Sequence, residues 1–199
     1  MDGALRDSRR ALTTERLELR PFYLEDAAFV YNICCEKEIA KFARSIPYPY
    51  LLTHAENWIK QHVEFWAEGK AAIFAICLKE NGKLVGAVGL EINEDDQNAE
   101  LGYWIDKNRW GQGFCTEAAA EALRFGFEEL SLHKIFAHYM TINPASGRVM
   151  DKIGMKQEGV LPGHVRKWGE FYDIVVYGLL KSEYEKMKTS DQKPTFQAN

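Results

Sequence analysis

The sequence predicts one α+β domain, a mixed α/β fold with a largely antiparallel twisted sheet of about seven strands flanked by about four helices. Three observations predict it. Short segments such as Arg16-Leu17-Glu18-Leu19-Arg20 alternate charged and apolar residues, the period of a half-buried strand. Longer segments carry apolar residues at helical spacing, as from Thr116 to about Leu130. Between the two kinds lies one strand–turn–helix unit, Ala99 to Ala120, whose turn holds Gly111-Gln112-Gly113. The 199 residues, 46% hydrophobic and 27% charged, suffice for one domain with a full core.

Residues 1–12 read as a flexible leader, 13–188 as the single domain and 189–199 as a disordered polar tail. The first strand, at Arg16 to Arg20, is closed by Pro21. Leu24 to about Cys35 reads as a helix with acidic residues at its start. Ile46-Pro47-Tyr48-Pro49-Tyr50 cannot be helical, because each proline pushes its predecessor to extended geometry. Thr53 with Glu56 has the spacing of a capping box, opening a second helix to about Glu68. Ala71 to Lys79 and Leu84 to Ile92 form two strands around an Asn81-Gly82 turn. Ala99 to Ile105 is the next strand and Lys134 to Met140 another. Asn143-Pro144 opens a short helix that Gly154 closes. Met155 to Val160 and Asp173 to Leu180 are the last two strands, separated by a loop at 162–169, and Ser182 to Lys188 reads as a terminal helix.

A net charge of -4 argues against phosphate-backbone binding, so no nucleic-acid partner is expected. No apolar run approaches the roughly 20 residues of a membrane span, and the N-terminus has no secretory h-region. Cys34, Cys35, Cys77 and Cys115 show no C-x-x-C spacing, and the five histidines show no H-E-x-x-H. A disulfide framework and a metal site are therefore not expected, and a reducing cytoplasm fits.

The glycine turn can hold an anion. A helix start leaves free N–H groups, its dipole favours negative charge, and glycine lets a ligand approach the main chain. Ordinary strand–helix loops also contain G-x-G. The P-loop pattern is absent, since no lysine follows Gly113, and a dinucleotide fold would want its glycines after the first strand of a parallel sheet.

The stretch Trp110-Gly111-Gln112-Gly113-Phe114-Cys115 resembles the acyl-CoA motif [RQ]-x-x-G-x-[GA] of the GCN5-related N-acetyltransferases (GNAT), with Trp110 in place of Arg or Gln and Cys115 in place of Gly or Ala. Glu100-Leu101-Gly102-Tyr103-Trp104 and Trp110 to Ala118 resemble the ribosomal-protein-alanine acetyltransferase branch. So do Thr14 to Pro21 and the run from Asn143-Pro144-Ala145-Ser146 to Met155, so that the likeness covers about residues 13–185. It implies the GNAT fold with a V-shaped splay at its centre, and acetyl-CoA as acetyl donor. The implied layout puts the pyrophosphate on the backbone of Trp110, Gly111, Gln112, Gly113, Phe114, Cys115 and Thr116. The pantetheine arm then runs beside the strand like an added strand, hydrogen-bonded to Trp104 and Ile105, where the family strand carries a bulge, and meets Asn143 and Ser146. Cys115 contributes its amide, although a thiol at a helix N-terminus can also be acidified.

The implied reaction is attack of a primary amine on the thioester in a ternary complex. Glu100 is the candidate base, and it can equally be a paired strand carboxylate or act through a water chain. Ser146 is the candidate acid, because the family's usual tyrosine position holds Met150. The acceptor side is drawn from Tyr48, Tyr50, Trp58, Arg166, Trp168, Glu170, Tyr172 and Asp173, which can also be core or rim residues, with Glu170 and Asp173 an acidic pair suited to a cationic amine. A protein N-terminal alanine is the expected acceptor. A small amine (polyamine, aminoglycoside or peptide antibiotic) and a non-catalytic acyl-CoA-binding module are the alternatives. Either a monomer or a homodimer fits.

Overall fold

The computed structural model describes residues 11–189, so the leader and tail expected at either end lie outside the described residues except for their innermost positions. The chain orders as β1 (Leu12–Thr13), β2 (Leu17–Pro21), α1 (Ala27–Cys34), α2 (Lys37–Phe42), α3 (Leu52–Ala67), β3 (Ala71–Leu78), β4 (Leu84–Asn93), β5 (Asn98–Ile105), α4 (Phe114–Arg124), β6 (Lys134–Met140), α5 (Pro144–Lys152), β7 (Lys156–Lys167), β8 (Glu170–Leu180) and α6 (Lys181–Thr189). One sheet of eight strands runs β1-β2-β3-β4-β5-β6-β8-β7. The additional strand is β1: Leu12 pairs with Leu19 and is buried, so it belongs to the sheet. No helix among the described residues is long and apolar enough to cross a membrane.

The centre of the sheet is covered on both faces. β3 (AAIFAICL) is apolar throughout and almost wholly buried, which is why it reads as a continuous run rather than an alternation. One face packs against α4 through Phe74, Leu90, Leu101, Ala119 and Leu123. The other packs against α1, α2 and α3 through Val30, Ile39, Ile59, Ala75 and Ala87. A helix at Lys37–Phe42 was not expected from the sequence, since its two buried residues, Ile39 and Ala40, are too few to show a helical period. The start of α3 also differs. The helix begins one residue before Thr53, and Leu51 N–H donates to His54 Nδ1 at 3.2 Å, so the side chain closing the first turn is His54 and not Glu56.

The last two strands are longer than the apolar runs suggested. β7 and β8 form one hairpin whose turn, Trp168-Gly169, has φ of 51° and 93°. Two successive positive φ values match the twist of a hairpin, and tryptophan is not a residue that signals such a turn. The Pro162-Gly163-His164 stretch is absorbed as an irregularity between Leu161 and Val165.

Every neighbouring pair is antiparallel except β5 and β6, which are parallel and pair only at Asn98–Lys134, Ala99–Ile135 and Glu100–Phe136. Beyond Glu100 the two strands separate. β5 stays on β4 to Ile105, while β6 stays on β8 to Met140. This is the expected splay. The expected bulge on β5 is not there: its register with β4 is unbroken from Asn98 to Ile105, and the irregularity lies on β3–β4 at Ile76/Cys77.

The close β4–β5 contact depends on Gly86, where an added Cβ would stand 2.3 Å from the Trp104 carbonyl oxygen and 2.7 Å from Ile105 Cδ1. Backbone cannot yield as a side-chain end can. Gly86→Ala is expected to lower stability by about 1–3 kcal/mol in urea unfolding; unchanged stability would contradict this contact.

Candidate functional site

The splay opens a cleft of about 1660 Å³ that runs from the α4 start to the α1–α3 face. Its anion end is the glycine turn. Gly111 and Gly113 have φ of 75° and 81°, and a Cβ on Gly111 would meet nothing within 4 Å, so the main chain is open to a ligand there. Gly113 is the N-cap of α4 and carries no side-chain cap. Among the described residues, none of the main-chain N–H groups from Gly111 to Thr116 finds an acceptor, and the first helical bond is Glu117 N–H to Gly113 O at 3.0 Å. Six unpaired donors at the positive end of a helix fit a pyrophosphate. Burial pushes the Cys115 thiol up to about 12, the opposite direction from an acidified thiol.

The cleft floor is the free edge of β5. Asp106 N–H donates to Val85 O at 2.8 Å, which sets Ala87–Trp104, Gly89–Gly102 and Glu91–Glu100 as the hydrogen-bonded pairs of the β4–β5 ladder. Alternate residues, Leu101, Tyr103 and Ile105, therefore turn their main-chain groups toward β6, which has already diverged. Trp104 lines the cleft, but its main-chain groups are turned to β4 and not to the opening. The Ile105 N–H is turned to the opening, while its carbonyl accepts from Trp110 Nε1 at 2.9 Å. Trp110 thus ties the turn back to the end of β5.

Tyr103 is the residue that reading the sequence missed. Its hydroxyl donates to the Ser146 carbonyl at 3.0 Å and accepts from Ser146 Oγ at 3.0 Å, bridging β5 to α5 across the splay. Burial pushes the phenol well above its ordinary value, with Ser146 acting weakly the other way. The only signal in the sequence was its strand parity, opposite to that of Glu100 and Trp104. Met150, at the usual tyrosine position, is buried core. Asn143 caps α5 with its carbonyl, which accepts from Ser146 N–H at 3.1 Å, and its side chain makes no cap bond, so the amide group is available to the cleft.

Glu100 lies on the opposite face, toward α1–α3, and its Oε1 is 3.1 Å from His138 Nδ1 on β6. Burial lowers the His138 pKa, Glu100 raises it, and Arg44 and His164 lower it, with a net fall below the ordinary imidazole value. The ring is therefore neutral at pH 7 and able to take a proton. Glu91, the cross-strand partner of Glu100, is raised by burial and by Glu100 and lowered by Arg44. The acidic pair of this wall is Glu91 and Glu100, and not Glu170 and Asp173.

Tyr50 and Trp58 line this end. Among the described residues that line the cleft, Gln112, Tyr48, Trp168, Glu170 and Asp173 do not appear. Tyr48 and Trp168 instead pack ring on ring at 5.2 Å on the outer rim, Arg166 stacks on Phe171, and Asp173 accepts from Gly163 N–H at 2.7 Å within the hairpin. The hairpin reaches the cleft loop another way: Lys167, buried, donates to the carbonyls of Ala43 at 2.7 Å and Ile46 at 2.8 Å. Among the described residues no group of three or more His, Cys, Asp or Glu could hold a metal ion.

Residues 16–156 match the family model for the acetyltransferase (GNAT) domain. The chain is 32% identical to an uncharacterised N-acetyltransferase, p20, of Bacillus licheniformis over 87% of this chain and 97% of that protein. It is 34% identical to YdaF of Bacillus subtilis (strain 168), provisionally named a ribosomal N-acetyltransferase, over 54% of this chain and 60% of that one. The solved structure of spermidine N-acetyltransferase from Vibrio cholerae, with CoA and spermine, superposes with a TM-score of 0.77 at 26% identity, covering 86% of this chain and 99% of that one. The chain belongs to the GNAT family of acetyltransferases.

Proposed function

We propose that this chain moves an acetyl group from acetyl-CoA to a primary amine by direct attack, with a protein N-terminal alanine as acceptor. The observation that carries the reading is that a single cleft joins the uncapped turn at Gly111–Thr116, the free edge of β5, the Tyr103–Ser146 pair and the Glu91–Glu100–His138 wall. The alanine acceptor is supported by the Glu100–Trp104 and Trp110–Ala118 motifs and by the ribosomal name of YdaF. Membership of an acetyltransferase family stands against a non-catalytic binding module. Four cysteines without disulfides fit a cytoplasmic site of action.

In this reading the turn amides hold the pyrophosphate and the amides of Tyr103 and Ile105 lie beside the acyl arm. Asn143 meets the pantetheine amides. An amine enters as its cation, attracted by Glu91 and Glu100, and loses its proton to the Glu100–His138 pair directly or through water. The neutral amine then attacks the thioester carbonyl, and the C–S bond breaks as the tetrahedral adduct collapses. Ser146 hands its hydroxyl proton to the departing sulfur, and the proton released by the acylated nitrogen returns to the Ser146 oxygen. A second acceptor class, polyamines, is favoured by one observation, the paired carboxylates of Glu91 and Glu100 on one wall.

Thiol release with alanine-initiated peptides, spermidine and an aminoglycoside tests the acceptor: the fastest release is expected from the peptides, and faster release from spermidine would transfer the reading to polyamines. Ser146→Ala at saturating acetyl-CoA should lower kcat by about 100-fold or more with the acetyl-CoA KM little changed; an unchanged kcat removes Ser146 as acid. His138 has a lowered pKa, so it takes up a proton only as pH falls below about 6.5. The acid limb of kcat/KM should therefore lie below that pH. Glu100→Gln should depress the plateau by about 100-fold, and turnover unchanged across pH would exclude Glu100.

A further inference from the structure

The pyrophosphate turn lacks a cation of its own. Trp110 stands where the motif has Arg or Gln, and its indole is committed to the Ile105 carbonyl. A cation reaches the turn from the other end of the chain. Arg16, just ahead of β2, donates from Nη1 to the Gln112 carbonyl at 3.0 Å, and its guanidinium lies over the Phe114 ring at 4.6 Å. Its Nη2 is 3.2 Å from where a Cβ on Gly113 would stand. Among the described residues, Nη2 has no hydrogen-bond partner.

Glu117, in the first turn of α4, holds this arrangement. Its carboxylate accepts from Arg16 Nε at 2.7 Å, from Arg16 main-chain N–H at 2.8 Å and from Thr14 Oγ1 at 2.5 Å. Burial alone would raise the Glu117 carboxyl, but the bonds from Thr14 and Arg16 outweigh it and keep it below the usual carboxylate range. The guanidinium is therefore gripped at Nε and Nη1 and stacked on one face, leaving its Nη2 edge at the mouth of the turn. A fixed guanidinium with a free edge is suited to phosphate oxygens, which it binds with directed, charge-assisted bonds.

We infer that Arg16 is a phosphate-binding residue of the coenzyme site, supplying the positive charge that Trp110 leaves out of the motif, and that Glu117 is the positioning residue that aims it. The inference rests on the reading of the turn as a pyrophosphate cradle. It also accounts for the Thr14–Arg16 stretch lying beside the glycine turn, since both residues are bonded to Glu117 in the first turn of α4.

Equilibrium binding separates a phosphate contact from a merely structural one. Calorimetric titration with CoA and with pantetheine, which lacks the phosphates, is run on the wild-type chain and on Arg16→Gln, Arg16→Lys and Glu117→Gln. Arg16→Gln is expected to weaken CoA by about tenfold or more while pantetheine binding stays within about twofold. Arg16→Lys should recover part of the loss, because the charge returns without the fork. Glu117→Gln should weaken CoA selectively but less. Raising salt should weaken CoA binding more steeply for the wild-type chain than for Arg16→Gln. Should Arg16→Gln unfold, Arg16→Lys tests the same contact through its own selective loss of CoA binding. Equal losses for CoA and pantetheine, or no loss for either, would overturn the proposal. A wild-type chain that binds CoA no more tightly than pantetheine would remove the cradle reading and the inference with it.

Discussion

The site depends on three residue pairs. β5 and β6 run parallel from Asn98–Lys134 to Glu100–Phe136 and then part. A sheet interior normally satisfies every main-chain group, so a strand that loses its neighbour must leave N–H and C=O groups for something else. Here the loss exposes Tyr103 and Ile105 on one side of a cleft whose other side is α5. Because β5 stays on β4 in unbroken register, the exposed edge is rigid. Tyr103 spans the opening to Ser146, which fixes the distance between the separated elements.

The same divergence sorts charge. On the α4 face, the uncapped amides of Gly111–Thr116 and the Arg16 guanidinium make a positive end. On the opposite face, Glu91, Glu100 and His138 make an end that attracts a cation and can accept its proton. In the proposed reading, donor and acceptor recognition come from the two faces of one sheet and meet at the splay. Lys167 adds a brace, since its ammonium on the Ala43 and Ile46 carbonyls anchors the loop that carries Arg44 toward the acidic wall.

Much of this was legible from residues alone. The alternation at Arg16–Arg20, the apolar run of β3 and the glycine turn mark two strands of the sheet and the uncapped start of α4, because each signal is local. What was not legible depended on contacts between distant segments. Trp168 in a tight turn, Leu12 in the sheet and Lys37–Phe42 as a helix are each stabilised by tertiary packing against weak local preference. The acidic wall was misplaced for a related reason. Glu170 and Asp173 are near each other in sequence, whereas Glu91 and Glu100 are brought together only by the β4–β5 register. Tyr103 escaped notice because its role needs α5 to lie across the splay, and Trp104 was assigned a contact that its strand parity forbids.

The most direct measurement is amide hydrogen exchange with and without CoA. The splay predicts slowed exchange at two separated places, the turn from Gly111 to Thr116 and the β5 edge at Tyr103 and Ile105, with Trp104 and Gly102 unaffected because their amides already bond to β4. Slowed exchange that spares the turn, or that falls on Trp104 and Gly102 instead of their neighbours, would contradict it.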